Sequence, residues 1–214
     1  MFTHTDVDAT GQSYYGETSL YFLSITGNFD CRVDLPQPGP IHDVSWSPNS
    51  KEFIVVYGSM PARSTLFDHR AAPMYELGTG ARNTIKYSPT GRFFFIAGFG
   101  NLAGELDVWD RKSFKKIASI SASNSSTCEW CPDGRHILTG ILYRRLKVDN
   151  GIKIWHYDGT LVHQIDSKEM YQVIWRPDDA TLWPERNASS PPPAGIKPPA
   201  PGLLMTLDMV FNTL

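Results

Sequence analysis

The chain has 214 residues, 41% of them hydrophobic, 20% charged and 12% aromatic, which is enough apolar material for one sizeable core and excludes general disorder. Its net charge of -2 hides an asymmetry: residues 1–80 carry four basic and nine acidic groups, residues 81–176 fourteen and nine, and residues 177–214 two and four. No run of about 18 apolar residues is present to span a bilayer, the acidic opening MFTHTDVDATGQ does not suit a secretory signal, and Cys31, Cys128 and Cys131 are too few for a disulfide framework, so the expected address is cytoplasmic.

In chain order, Asp6, Asp8, Thr10, Gly11 and Glu17 come first, at positions 1, 3, 5, 6 and 12 of a calcium loop. The following TSLYFLSIT reads as a strand and Ser13 stands where such loops hold an aliphatic residue, so a polar hairpin loop is expected and no metal. TSLYFLSIT itself, Thr18 to Thr26, reads as an early copy of a repeat that has lost its upstream half.

The repeat then becomes explicit. DVSWSPNSKEFIVVYG from Asp43, TIKYSPTGRFFFIAGFG from Thr84, TCEWCPDGRHILTGIL from Thr127 and QVIWRPDD from Gln172 share an aromatic, one residue and a proline. The aromatics Trp46, Tyr87, Trp130 and Trp175 are 41, 43 and 45 residues apart. A second phrase follows in three of the copies: STLFD ending at Asp68, LDVWD ending at Asp110, and IKIWHYDG ending at Gly159. The runs are short, rich in β-branched and aromatic residues, and bounded by Asp133-Gly134, Asn150-Gly151, Asp158-Gly159 and Thr90-Gly91, all of which favour hairpins.

Units of this length made of four short strands are the size of propeller blades, which bury their faces against neighbours around a channel. The expected fold is therefore all-β: a β-propeller of WD40-like four-stranded blades, present as an incomplete arc of about three and a half blades. The predicted blades are a partial one at 18–35 with two strands, three nearly complete ones at 41–77, 82–121 and 126–166, and the first strand of a further blade at 171–176. Within 82–121 the strands are expected near 82–88, 92–98, 105–110 and 116–121. Half of the 16 prolines lie between Pro177 and Pro201, which predicts a Pro-rich, disordered tail over 177–214. The closing LLMTLDMVFNTL is apolar again and is compatible with a short helix, a docking segment, or the product of truncation or altered reading of a longer gene.

The phrases DVDATGQSYYGE, VYGSMPARSTLFD, ELGTGARN, AGFGNLAGELDVWD, WCPDGRHILT and NGIKIWHYDG, in order from Asp6 to Gly159 with Trp175-Arg176-Pro177 as a weaker continuation, closely resemble the propeller of the eukaryotic translation initiation factor 2A family. The resemblance implies the later half of a nine-bladed propeller, whose earlier blades and basic helical C-terminal region are expected to lie outside this sequence. It further implies a noncatalytic factor that helps deliver initiator methionyl-tRNA to the small ribosomal subunit without GTP dependence, with the ribosome, tRNA, mRNA and other initiation factors as partners. Arg63 in MPARS and Arg82 in GTGARN match the wording of that family. The alternative is a WD-repeat scaffold that binds only proteins, kin to the propeller subunit b of initiation factor 3.

The residues themselves supply a surface rather than a catalytic centre. Arg144, Arg145 and Lys147 lie in a long connection between strands, and Arg111, Lys112, Lys115 and Lys116 at a hairpin, where cations on blade loops can neutralise phosphates. With Arg63 and Arg82 these are the candidate RNA- and ribosome-binding residues. Cys128 and Cys131 have the spacing of a metal knuckle, but strand residues three apart face opposite ways and no second pair follows, so packing is expected instead of zinc. The glycine-rich Gly98–Gly104 has the wrong spacing for a dinucleotide fingerprint and is expected to be a loop. The histidines at 4, 42, 69, 136, 156 and 163 show no HExxH spacing, and no GxSxG or P-loop occurs. No enzyme activity, cofactor or metal is expected. Asn124-Ser-Ser126 and Asn187-Ala-Ser189 match glycosylation acceptors, and with no secretory route expected both matches are expected to be chance.

Overall fold

A computed structural model of the protein describes residues 1–6, 17–179, 182–183 and 209–212. Among these residues the chain is all-β. Three strands come first, β1 (Phe2–Asp6), β2 (Glu17–Leu23) and β3 (Asp30–Val33), forming one sheet in that order. Three four-stranded antiparallel meanders follow. They are β4 (Ile41–Trp46), β5 (Glu52–Tyr57), β6 (Ala62–Asp68) and β7 (Pro73–Gly80); β8 (Thr84–Tyr87), β9 (Phe93–Ala97), β10 (Glu105–Asp110) and β11 (Lys115–Ser121); and β12 (Thr127–Trp130), β13 (His136–Ile141), β14 (Gly151–His156) and β15 (Leu161–Asp166). Last, β16 (Gln172–Trp175) pairs antiparallel with β17 (Met209–Asn212). Sheets of this kind in series are blades, and the fold is an incomplete β-propeller.

The aromatic-proline phrase makes the same turn three times. Ser47, Ser88 and Cys131 each donate a backbone N–H to the first residues of the next strand, at the carbonyls of Glu52, Phe93 and His136. Their own carbonyls accept from Ser50, Gly91 and Gly134, at 2.9, 2.8 and 2.9 Å. Proline suits the second position of such a turn, and the fourth adopts positive φ at Ser50 (58°), Gly91 (71°) and Gly134 (67°). Each turn stops the first strand just after its aromatic and starts the second in fixed register. At the other hairpin of the blade an aspartate does the equivalent work: Asp68 Oδ1 accepts from the amides of Arg70 and Ala72 at 2.8 and 2.9 Å, and Asp110 Oδ1 from that of Lys112 at 2.8 Å.

The second strands, EFIVVY and FFFIA, are buried at every position, whereas the fourth strand β7 is exposed along most of its length. A continuous apolar run is what a strand covered on both faces requires, and burying each such side chain is worth about 1.5–3 kcal/mol.

Two compact units are distinguished, residues 1–85 with 96–98, and residues 86–95 with 99–214. The core of the first comprises Leu20, Val33, Phe53, Val55, Tyr57 and Phe67, with Trp46 set between Phe22 and Phe53 at ring distances of 5.5 and 4.9 Å. That of the second includes Cys131, Leu138, Ile152, Ile154, Met170, Val173 and Trp175.

Two findings extend the sequence reading. The first sheet has a third strand, β1, upstream of the partial blade expected from about residue 18, joined to β2 through pairs from Phe2↔Tyr21 to Asp6↔Glu17. Residues 209–212, within the segment expected to be a tail, form a strand on β16. The calcium-loop positions Asp8, Thr10 and Gly11, the proline-rich run from Pro184 to Pro201 and Asn187-Ala-Ser189 lie outside the described residues.

Candidate nucleic-acid interface

In a four-stranded meander the connection between the second and third strands leaves at one end, and the two tight hairpins leave at the other. This topology sorts the candidate cations. Arg111 and Lys112 lie in the hairpin between β10 and β11, and Lys115 and Lys116 open β11. Arg144, Arg145 and Lys147 lie in the 142–150 connection between β13 and β14, at the opposite end of their own blade type. Arg63, the second residue of β6, and Arg82, just after β7, both fall at the long-connection end of the β4–β7 blade. The sequence therefore groups as one basic region what the fold divides between two ends.

Their surroundings differ as well. Arg63 Nε stands 3.7 Å from Glu76 Oε2, and Glu76 also accepts from Thr65 Oγ1, which contacts Tyr57 Oη at 3.0 Å. Burial raises the Tyr57 phenol above its ordinary range, with the Thr65 hydrogen bond opposing the shift. Arg82 Nη1 donates to the Leu77 carbonyl at 3.2 Å. Lys116 Nζ pairs with Asp107 Oδ1 at 3.3 Å. Arg111 lies over the Phe114 ring at 4.4 Å, and Lys112 and Lys115 are exposed. This hairpin is held by Asp110, which accepts from Ser113 Oγ at 3.0 Å and from Arg92 Nη2 at 3.1 Å in a largely buried ion pair.

The 142–150 connection is ordered by its backbone. The amides of Arg145 and Leu146 donate to the Leu142 carbonyl at 3.0 and 3.1 Å, and Tyr143 N donates to Met170 O at 2.7 Å. Buried Asn150 donates through Nδ2 to the carbonyls of Leu146 and Val148 at 2.6 and 3.3 Å. Arg144, Arg145 and Lys147 are exposed on this frame. Lys147 Nζ sits 5.9 Å from the Tyr143 ring centroid, and the rings of Tyr143 and Tyr171 meet at 5.4 Å with an interplanar angle of 55°. Neither tyrosine was singled out by sequence reasoning. The usable signal is an aromatic directly before Arg144-Arg145; its partner lies 28 residues on.

Gly98–Gly104 is a loop between β9 and β10, and Gly100 is near enough to Arg145 that a Cβ there would stand 3.8 Å from Nη2. Cys128 lies on β12 and Cys131 one residue beyond it, both buried, and burial pushes both thiols far up. Among the described residues no three His, Cys, Asp or Glu side chains group as ligands for a metal ion, and no helix is long and apolar enough to cross a membrane.

Comparison with known proteins agrees with this architecture. A profile of the family described as Eukaryotic translation initiation factor eIF2A matches residues 1–173. The chain is 48% identical over 178 residues to eukaryotic translation initiation factor 2A of Schizosaccharomyces pombe, covering 83% of this chain and 31% of that protein. With the Dictyostelium discoideum factor of the same name it shares 41% over 210 residues, covering 94% of this chain and 34% of that protein. It thus spans about a third of the length of these curated relatives. A crystal structure of a eukaryotic initiation factor superposes with a TM-score of 0.66 at 48% identity, covering 69% of this chain and 37% of that one. Profile, relatives and blade architecture converge: the chain belongs to the eukaryotic translation initiation factor 2A family.

Proposed function

We propose that this chain acts in translation initiation in the cytoplasm as a noncatalytic surface that helps deliver initiator methionyl-tRNA to the small (40S) ribosomal subunit, through contacts with the ribosome, tRNA and mRNA and alongside other initiation factors. The family match over residues 1–173 carries this reading. The chemistry of the surface supports it: exposed Lys112, Lys115, Arg144, Arg145 and Lys147 lie on turns and connections, where cations reach phosphates without disturbing a blade core. Arg63 and Arg82 are candidates of the same kind, with Glu76 and the Leu77 carbonyl as their present partners.

Sedimentation with purified small subunits at rising salt tests the reading. Each phosphate contact adds about 0.7–0.9 to the slope of log affinity against log salt, so co-sedimentation is expected to fall steeply as salt rises. A scaffold that binds only proteins predicts little ribosome association and no steep fall with salt, and that result would reject the proposal.

A further inference from the structure

The two basic segments are not chemically alike, and the difference lies in their aromatic groups. At the β10–β11 hairpin the Phe114 ring is already covered by the Arg111 guanidinium at 4.4 Å, and Lys116 is engaged by Asp107. In the 142–150 connection, Tyr143 and Tyr171 make an edge-tilted pair 5.4 Å apart, both rings partly exposed, with Lys147 5.9 Å from one of them. The pair is fixed from below. Tyr143 N on Met170 O ties one ring's backbone to the residue preceding the other, and Asn150 holds the far side of the connection. Tyr171 Oη is directed at Glu169 Oε2, 3.4 Å away, so this nearby carboxylate already has a donor. Gly100 presents a residue without a side chain next to Arg145, where a Cβ would stand 3.8 Å from Nη2.

Rigid aromatic faces flanked by cations, with open backbone next to one of them, suit an unpaired nucleotide. A base can stack on the ring while its phosphate meets the guanidinium, and every base has a face to offer. A paired helix does not fit this arrangement, because its bases are stacked on one another. We propose that Tyr143 and Tyr171 form a stacking platform for bases of single-stranded RNA, with Arg144, Arg145 and Lys147 holding the adjoining phosphates. The inference rests on the RNA-contacting surface of the preceding section and specifies which form of RNA it takes and where.

The test uses the full 214-residue chain with a labelled oligouridine and a fully paired RNA duplex of equal length, followed by fluorescence anisotropy. Tyr143→Leu and Tyr171→Leu are each expected to weaken single-strand binding by about tenfold and to leave duplex binding unchanged, while Tyr143→Phe and Tyr171→Phe retain it. Arg144→Gln with Arg145→Gln is expected to weaken both RNAs and to lower the salt slope for the single strand by about 1.4. Leucine variants that bind oligouridine as the unaltered chain does, while the arginine variant loses affinity, would remove the platform and leave the charged surface standing. Failure of the unaltered chain to bind either RNA would overturn both. Because a leucine variant could lose its loop structure, the unaltered chain is also photocrosslinked to 4-thiouridine-substituted oligouridine. Adducts on Tyr143 or Tyr171 are expected, and adducts confined to other segments would refute the proposal.

Discussion

Trp130 Nε1 donates a hydrogen bond to the backbone carbonyl of Lys86 at 3.0 Å, tying the end of β12 to β8 of the preceding blade. Lys86 Nζ answers by donating to the Cys128 carbonyl, also at 3.0 Å. Trp175 closes β16 as Trp130 closes β12, and the two are 7% and 8% exposed, yet Trp175 Nε1 meets no acceptor among the described residues. Trp130→Phe and Trp175→Phe remove similar ring area, so their difference compares a buried indole N–H that has an acceptor with one that has none. Trp130→Phe is expected to cost about 1 kcal/mol more in urea unfolding. Equal losses would show that the inter-blade bond contributes nothing net.

Asp133, in the turn after β12, predicts part of the acid sensitivity. Burial disfavours its charge, but the His136 hydrogen bond at Nδ1, the charge of that ring and the amides of Arg135 and His136 outweigh it, bringing the carboxyl down to about 2. The folded value lies below an unfolded value of about 3.9, so the contribution is complete above about pH 4 and disappears as pH falls through 2. Its size is about 2–3 kcal/mol by linkage. Urea midpoints measured from pH 5 down to pH 2 are expected to fall less steeply for Asp133→Asn than for the unaltered chain, and parallel curves would contradict the assignment.

These two sites show what the sequence carries and what it leaves out. The aromatic-proline phrases mark the ends of β4, β8, β12 and β16 because strand termination there is local chemistry: a proline two residues after the aromatic and, after the first three, a positive φ within four residues. Even Ser50, where the second and third copies have Gly91 and Gly134, follows the pattern. β1 was not legible, because FTHTD pairs through its backbone and has one apolar residue to show a period. β17 meets β16 from beyond a long proline-rich run, and no local signal announces such a pairing. At the candidate interface the cations themselves were legible, but their partners depend on register. Lys116 reaches Asp107 across a shift in the β10–β11 ladder between Val108 and Trp109, and Tyr143 finds Tyr171 only through the fold.

The glycine-rich loop yields a comparison of two glycines with nearly the same backbone angle. Gly104 has φ +83° and Gly78 has φ +85°. A Cβ at Gly78 meets nothing within 4 Å, whereas one at Gly104 would stand 2.6 Å from the Ala122 carbonyl oxygen, part of a backbone that also donates from Ala122 N to Gly104 O at 2.8 Å. Gly78→Ala is expected to cost about 1 kcal/mol, the strain of positive φ alone. Gly104→Ala adds a clash with backbone that cannot swing aside and is expected to cost at least about 1 kcal/mol more. Thermal and urea unfolding of the two variants check the order; a reversal would mean that the β9–β10 loop yields more readily than its contacts indicate.

The division of the cations between two ends leads to the last prediction. Arg111, Lys112 and Lys115 flank the tight β10–β11 hairpin, and Arg144, Arg145 and Lys147 the long β13–β14 connection, so the track of one RNA strand along the second set is not required to touch the first. Replacing each set by glutamine leaves the blades intact, since none of these side chains belongs to a buried cluster, and stability is expected to change by less than about 0.5 kcal/mol per site. Oligouridine binding measured over a salt series is expected to lose about 2 units of slope in the 144/145/147 variant, from three contacts at roughly 0.7 each, and to keep its slope in the 111/112/115 variant. Lys116 is left out of the second set because Asp107 already balances it at 3.3 Å. Equal loss of slope in both variants would place RNA on both ends, and loss confined to the hairpin variant would reverse the assignment.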